Sequence, residues 1–327
     1  MKQRVLITGA SGFVGFHLIE AALAHNLEVF AAIRKSSNVE HLQHLPIQYT
    51  YPDFRSIEAL QKELEEKRYD FIIHAAGITK ARTQQDYDAV NAGYTYNLFK
   101  AAQQAGTIQK MVFLSSLAAV GPLNVKGLIN ETKNLEPVTA YGRSKRVAEQ
   151  QIADLDIPLI TLRPTAVYGP REKDIFIILK SISRGLDPYI GRIDQQLSFV
   201  YVKDLANITV TALFSGVRKG SYNISDGQSY NRYALADITK NVLGKKAWRF
   251  HLPMGLVKLL AVVLEKTYKF TNQTPALNKE KLNELAALNW CCSIDKAKTD
   301  LQYQPQYNLQ KGLEETLQWY KQQGWLK

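Results

Sequence analysis

Short apolar runs alternate with longer amphipathic stretches through the first half of the chain. Arg4–Thr8 is a largely apolar run that stops at a glycine-rich turn, which predicts a strand. From Phe13 to Ala24, Val14, Leu18, Ala21 and Ala22 recur on one face at helical spacing. Glu28–Ile33 predicts a second strand, Ile57–Glu66 a helix and Tyr69–His74 a third strand. Tyr87 to Ala105 reads as one long helix closed by Gly106. Strand Lys110–Ser115, helix Tyr141–Leu155 and strand Pro158–Arg163 follow. Strands alternating with helices imply right-handed crossovers, so the class expected is α/β: a doubly wound parallel sheet covered on both faces.

After Tyr168-Gly169-Pro170 the alternation loosens. Ile175–Arg184 predicts a helix, Gly185–Arg192 a turn-rich connection, and Ser198–Val202 a strand running into a helix over Lys203–Phe214. Ser221–Ser225 is strand-like, and from Tyr233 the pattern is mostly helical, ending in Leu309–Gln323. The organisation expected is a nucleotide-binding domain over residues 1–170, to which the chain returns at about 198–226. Residues 171–197 and 227–327 would form a smaller, mostly helical substrate lobe. Met254–Leu264, the longest apolar stretch, contains Lys258 and is too short to span a bilayer. It predicts a core or lobe helix in preference to a helix lying on a membrane.

Composition narrows the class. At 327 residues, 46% hydrophobic and 10% aromatic, the chain can bury a sizeable core and is not disordered. A net charge of +11 raises the question of nucleic acid or an anionic membrane. The Lys and Arg residues are scattered among acids, and the densest groups, such as Lys279–Lys281, read as solvated helix faces. No nucleic-acid partner is therefore expected, peripheral membrane contact is the less favoured reading, and attraction of a phosphorylated cofactor is a milder use of the surplus. Cys291 and Cys292 are adjacent, a spacing that rarely bridges, and no metal-spaced cluster accompanies them. No metal is expected. A strand directly after Met1-Lys-Gln-Arg leaves no room for a signal peptide, so the cytoplasm is the expected location.

Thr8-Gly-Ala-Ser-Gly-Phe-Val-Gly15 lies between the first strand and first helix, where backbone N–H groups and a helix N-terminus receive a pyrophosphate. Gly9 would permit the tight turn, Gly12 close backbone approach, and Gly15 helix–sheet packing. The second strand ends in Arg34-Lys35 with no acid until Glu40, which favours NADP over NAD; a solvated basic loop is the plain alternative. Asp53 is a candidate for the adenine edge. Tyr141 and Lys145 are four apart and share a helix face. A phenol ionises near about 10, and an adjacent ammonium is expected to lower that value, making Tyr141 a proton shuttle for an alcohol or ketone.

His74-Ala-Ala-Gly77, Asn91, Ser115-Ser116, Arg163-Pro-Thr-Ala-Val-Tyr-Gly-Pro170 and Phe199-Val-Tyr-Val-Lys-Asp204 surround these motifs. With them nearly the whole chain resembles the extended short-chain dehydrogenase/reductases, the group that includes the NAD-dependent epimerase/dehydratase family. The resemblance implies a Rossmann-type sheet. It makes Tyr141 the general acid/base, and Lys145 the residue that lowers the tyrosine pKa and holds the nicotinamide ribose. Ser116 would hold the substrate oxygen, with Ser115 its rival. It also implies cofactor contacts from Ser11, Phe13 and Val14 in the turn, and from Phe54 beside Asp53. Ala75, Ala76 and Gly77 would line the groove, with Asn91, Leu114 and Ser115 further in and Pro164 and Val167 after the fifth strand. A homodimer through the Tyr87–Ala105 and Tyr141–Leu155 helices is the assembly implied.

Departures from the family pattern bear on the substrate. Leu117-Ala118 stand where sugar dehydratases carry Asp-Glu, and Leu197-Ser198 where many nucleotide-sugar members carry Arg-Asp. Arg171, Arg192 and Arg249 are the cations available to substitute. The pattern is more similar to the 3β-hydroxysteroid dehydrogenase and dihydroflavonol-reductase-like branches. The expected activity is reversible hydride transfer between a nicotinamide and a small-molecule secondary alcohol or ketone. The alternatives are a nucleotide-sugar epimerase or reductase working through a 4-keto sugar, and a non-catalytic dinucleotide sensor. Tyr168, Phe176 and Tyr189 are candidates for the substrate pocket, Thr79 and Lys80 for a substrate or phosphate contact, and His74 for the cofactor groove. His17 reads as a packing or surface residue.

Overall fold

The computed structural model describes residues 2–258 and 279–326. Its centre is a seven-stranded, wholly parallel sheet. Six of its strands are β1 (Arg4–Thr8), β2 (Glu28–Ala32), β3 (Gln48–Thr50), β4 (Phe71–His74), β5 (Lys110–Leu114) and β6 (Leu159–Pro164). Three short pairing strands and one longer one follow: β7 (Ala166–Tyr168), β8 (Leu186–Ile190), β9 (Gln196–Leu197) and β10 (Phe199–Tyr201). The chain then returns to the sheet as β11 (Lys219–Ile224), giving the order β3-β2-β1-β4-β5-β6-β11. The direction of winding reverses between β1 and β4, the point where such sheets open a crevice at their carboxyl ends.

Side chains alternate across this sheet as a strand's period of two demands. Val5, Ile7, Phe71, Ile73, Val112 and Ile160 face one core, shared with α1 (Phe13–Ala24). Leu6, Ile72, Met111, Phe113 and Leu159 face the other, shared with α2 (Ile57–Lys67). The expected long helix from Tyr87 is in fact three pieces: α3 (Gln84–Asp88), a π-turn over Ala89–Gly93 and α4 (Tyr94–Ala105). The π-turn turns Asn91 inward, a use of such turns common at functional sites. On the same side lies α5 (Ala140–Ala153).

The smaller lobe holds α6 (Asp174–Ser183), and α7 (Val202–Thr211) returns to pack on α1. Beyond it come β12 (Tyr230–Asn231), α8 (Ala234–Leu243), β13 (Trp248–Leu252) and β14 (Asn289–Trp290). One expectation fails here. The stretch expected as a turn-rich connection holds the strand β8, whose parallel partner β13 interrupts the otherwise mostly helical region after Tyr233. Gly185, Pro188 and Gly191 punctuate the sequence like a turn, and pairing across some sixty residues has no local signal. Tyr168 and Phe176 lie in the lobe's core. The Tyr168 hydroxyl donates to Asn308 O, and Phe176 packs edge-on against Tyr320 and Trp325. Of the apolar stretch Met254–Leu264, residues 254–258 are helical and 259–264 lie outside the described residues, as do the side chains of Lys279–Lys281. Among the described residues no helix is long and apolar enough to cross a membrane. Both cysteines are buried and unbridged.

Candidate active site

Every motif that carries chemistry comes to the carboxyl edge of the sheet. Gly9 turns the chain at φ +70°, and a Cβ there would stand 2.7 Å from Ala75 O, so only glycine lets the turn lie against the strand-end loop 75–77. A Cβ on Gly15 would meet Gly9 O at 2.1 Å, which fixes how closely α1 sits on the turn. Gly12 differs: its nearest neighbour is Gly9 O at 3.2 Å, and it begins α1 with no side-chain cap and no acid in the first turn. The helix thus presents uncapped amides and its positive end beside the turn formed by Ser11, with Phe13 and Val14 opening the helix. That donor set fits a dinucleotide diphosphate.

Beneath this cradle the polar groups form one ordered network. Thr95 Oγ1 donates to Asn91 O at 2.7 Å, so it accepts from His74 Nε2 at 2.9 Å. His74 Nδ1 then accepts from the Thr8 hydroxyl at 2.8 Å, and Thr8 Oγ1 accepts from Ala76 N at 3.0 Å. Burial first, and then the charge of Lys145, push the His74 pKa down to about 3. His74 is a neutral strut under the 75–77 loop, not the groove-lining residue expected. Asn91 clamps the next residue of that loop, accepting from Ile78 N at 2.8 Å and donating to Ile78 O at 2.9 Å and Ser144 Oγ at 2.9 Å. A Cβ on Gly77 would lie 3.1 Å from Asn91 Oδ1 and 3.3 Å from Lys145 Nζ.

Tyr141 and Lys145 enter from α5. Thr139 caps this helix by accepting from Gly142 N at 3.0 Å. A Cβ at Gly142 would stand 2.3 Å from Ala118 O, so the glycine after Tyr141 lets the first turn of α5 press on the 3₁₀ turn Leu117–Ala119. Ser116 caps that turn, accepting from Ala118 N at 3.1 Å, and its hydroxyl lies on the side of the Tyr141 phenol, whose pKa it pulls down. Burial raises the phenol to about 12 against the pull of Ser116, with Glu284 and Tyr87 raising it further. Burial pushes Lys145 down to about 8, opposed by Glu149. Its ammonium donates to Leu114 O at 3.0 Å and lies 4.9 Å from the Phe113 ring centre. The expectation that this ammonium lowers the phenol is corrected: it serves a backbone carbonyl, and burial decides the tyrosine.

Ser115 is engaged elsewhere. Its hydroxyl donates at 2.5 Å to Glu149, which Arg163 grips through Nε and Nη2, the shortest contact being 2.6 Å. All three side chains are buried. Sequence reasoning missed Glu149 and Arg163, although Glu149 follows Lys145 by one helical turn and its spacing was visible.

On the adenosine side, Arg34 and Lys35 follow β2 with exposed side chains. Ser37 Oγ accepts from Arg34 N at 3.1 Å, tightening the loop. His41 was missed as well. It lies near the Ser11 backbone, and burial, then Arg171, lower its pKa against the opposing pull of Ser11, with His44 and Lys173 lowering it further. Arg171 reaches there from the second half of the chain, its guanidinium carbon 3.9 Å from the Phe16 ring centre and 5.5 Å from that of Trp319. Asp53 is exposed with both oxygens on Arg55, which holds its carboxyl below the usual range. Phe54 packs near His74 and Tyr94. Pro164 ends β6, and Val167 on β7 pairs in register with Val200.

The remaining candidates are placed as follows. Lys80 pairs with Asp174 of α6 at 3.0 Å, and Thr79 O accepts from the Tyr87 hydroxyl at 3.0 Å. Tyr189 packs against Tyr233 and His251. Buried His17 is held between Glu20 and Pro170 O.

A doubly wound sheet with an uncapped glycine turn at β1, and Ser, Tyr and Lys gathered at its switch point, defines an extended short-chain dehydrogenase/reductase. Residues 5–225 match the NAD dependent epimerase/dehydratase family, and the chain belongs to that family of NAD-dependent epimerases, dehydratases, dehydrogenases and reductases. It is 26% identical over 339 residues to a UDP-glucose 4-epimerase of Vibrio cholerae, covering 98% of this chain and 97% of that one. It is 28% identical over 297 residues to sterol demethylase protein B of Methylococcus capsulatus, covering 86% and 87%. The crystal structure of a UDP-glucose 4-epimerase from Thermotoga maritima superposes with a TM-score of 0.80 at 19% identity, covering 98% and 99%, which shows the shared fold.

Proposed function

We propose that the chain interconverts an apolar secondary alcohol and its ketone, with Tyr141 passing the proton, Ser116 holding the substrate oxygen and Lys145 orienting the nicotinamide ribose. A bound nicotinamide dinucleotide supplies hydride exchange. The observation that carries this reading is the convergence of Ser116 and the Tyr141 phenol at the switch point, one helical turn from a buried ammonium under Gly77. A phenol held near about 12 is protonated at neutral pH, so Tyr141 is ready to donate to a ketone. Ser116 then stabilises the charge that develops on the same oxygen. Ser115, fixed on Glu149, serves the framework instead.

The apolar substrate is supported by how the candidate arginines are engaged among the described residues. Of the three arginines that would substitute for a missing diphosphate ligand, Arg249 is paired with Asp187 and Asp237, and Arg171 stacks on Phe16 and Trp319. Arg192 is the remaining one, with an exposed side chain. The sterol-linked relative supports the same direction. The Vibrio 4-epimerase supports the second reading, a nucleotide-sugar epimerase. NAD that survives purification, with no net turnover on ketones, would favour that one.

NADP preference is part of the proposal, supported by Arg34 and Lys35 where a ribose-binding carboxylate would otherwise sit. So are a cytoplasmic location and a homodimer through α4 and α5, which light scattering checks. Titration calorimetry is expected to give NADP about tenfold or more the affinity of NAD, with Arg34→Glu reversing the order. Tighter NAD binding by the unaltered chain refutes the preference.

A further inference from the structure

The two-stranded ribbon of β8 and β13 is turned inside out. In register, Leu186 lies opposite Trp248, Asp187 opposite Arg249, Pro188 opposite Phe250 and Tyr189 opposite His251. The odd-numbered positions point to α8: Asp187, 2% exposed, accepts from Arg249 Nε at 2.9 Å and Lys240 Nζ at 3.3 Å. His251 Nε2 meets the Tyr233 hydroxyl at 2.9 Å. The other face is therefore wholly apolar. Its far end, Ile190 and Leu252, is covered by Val257 and Leu282. Its near end is bare, with Trp248 71% and Leu186 46% exposed and Pro188 beside them. Surface strands ordinarily put apolar residues inward and polar residues out. An exposed apolar patch of this kind marks an interaction site.

Cations flank the ribbon. Segment 175–193 contributes Lys180, Arg184 and Arg192, and segment 238–258 contributes Lys240, Lys245, Lys246, Arg249 and Lys258. Lys240 and Arg249 are paired on the α8 side with Asp187 and Asp237, and Arg192 and Lys258 lie toward the covered end, while Lys180, Arg184, Lys245 and Lys246 have no carboxylate partner among the described residues. Arg184, Lys245 and Lys246 are exposed at the bare end, where Lys245 Nζ bonds Ser183 O and Trp248 N bonds Gly185 O. Along the sequence these cations look dispersed; the pairing of β8 with β13 gathers them.

We propose that this face docks on an anionic phospholipid bilayer, with Trp248 and Leu186 entering the headgroup boundary and Arg184, Lys245 and Lys246 meeting the phosphates. An apolar centre holding an indole, rimmed by flexible cations, matches the layered polarity of that surface. A second copy would bring the same cations face to face, which like-charge repulsion opposes. The proposal is independent of the redox reading, and vesicle binding tests it without turnover.

The full chain is mixed with vesicles of phosphatidylcholine alone, or with roughly one third phosphatidylglycerol. Partitioning is read by sedimentation, and Trp248 by its emission, as the difference from Trp248→Phe. The expected result is binding to the anionic vesicles only, a blue shift of Trp248, and release by salt. Lys245→Ala with Lys246→Ala is expected to weaken binding roughly thirtyfold, at about fivefold per cation, and Trp248→Ala about tenfold. Circular dichroism checks that the variants remain folded. The proposal is overturned if the chain does not partition, or if folded variants bind like the original. It is equally overturned if Trp248 is already shielded from acrylamide without lipid, which would mean another part of the chain or a second copy covers the face.

Discussion

Lys145 is expected to cost the fold stability that its removal returns. Its side chain is buried, and burial lowers its pKa from the ordinary 10.5 to about 8. The folded chain therefore gives up this proton at lower pH than the unfolded chain. Between about pH 8 and 10.5 the unfolded chain binds more protons, so stability rises with pH through that window. Below it the full cost is present, about 3 kcal/mol as an order of magnitude at about 1.4 kcal/mol per pH unit. Lys145→Met keeps an unbranched apolar stem and removes the charge. It also removes the donor to Leu114 O, a loss of about 1 kcal/mol. Lys145→Met should thus gain about 1–2 kcal/mol near pH 7 while losing turnover, a trade of stability for function expected at active sites. Urea unfolding followed by circular dichroism near pH 7 and near pH 10 tests this, with the gain shrinking to nothing at the higher pH. Destabilisation near pH 7, or a difference that does not change with pH, refutes the reasoning.

Glu149→Ala leaves the Arg163 guanidinium buried without its carboxylate and is expected to cost about 3–5 kcal/mol. Glu149→Leu with Arg163→Met should recover most of it, measured as the coupling in a urea double-mutant cycle; a single-variant loss below about 1 kcal/mol contradicts the network's role. The two serines should separate cleanly. Ser116→Ala should lower kcat about a hundredfold with little change in the unfolding midpoint. Ser115→Ala should cost about 1–3 kcal/mol of stability and leave kcat within about threefold.

The parts of the site set by local sequence were legible, and the parts set by distant pairing were not. The glycine turn, Ser116, Tyr141 and Lys145 sit at strand ends and on a helix face, positions that periodicity locates. The choice of Ser116 over Ser115 rested on a family pattern alone, and Glu149 gives it a physical basis. What spacing could not supply was burial. Two residues four apart share a face, but whether their charges meet depends on the carbonyl of Leu114 and on Phe113, which arrive from β5. Arg171 and His41 converge near Ser11 from segments 130 residues apart, and β8 pairs with β13 across the lobe. The π-turn at Asn91 hides inside a stretch with helical periodicity throughout, because one added residue shifts the register without breaking the pattern.

The central claim is that Tyr141 delivers the proton at a site built for a nicotinamide cofactor. Stopped-flow oxidation of NADPH by an apolar secondary ketone, for the unaltered chain and for Tyr141→Phe, tests it most directly. The expected result is a fall in the single-turnover rate of about 10²–10⁴-fold with cofactor affinity within about threefold. A Tyr141→Phe protein that turns over at the original rate would contradict it.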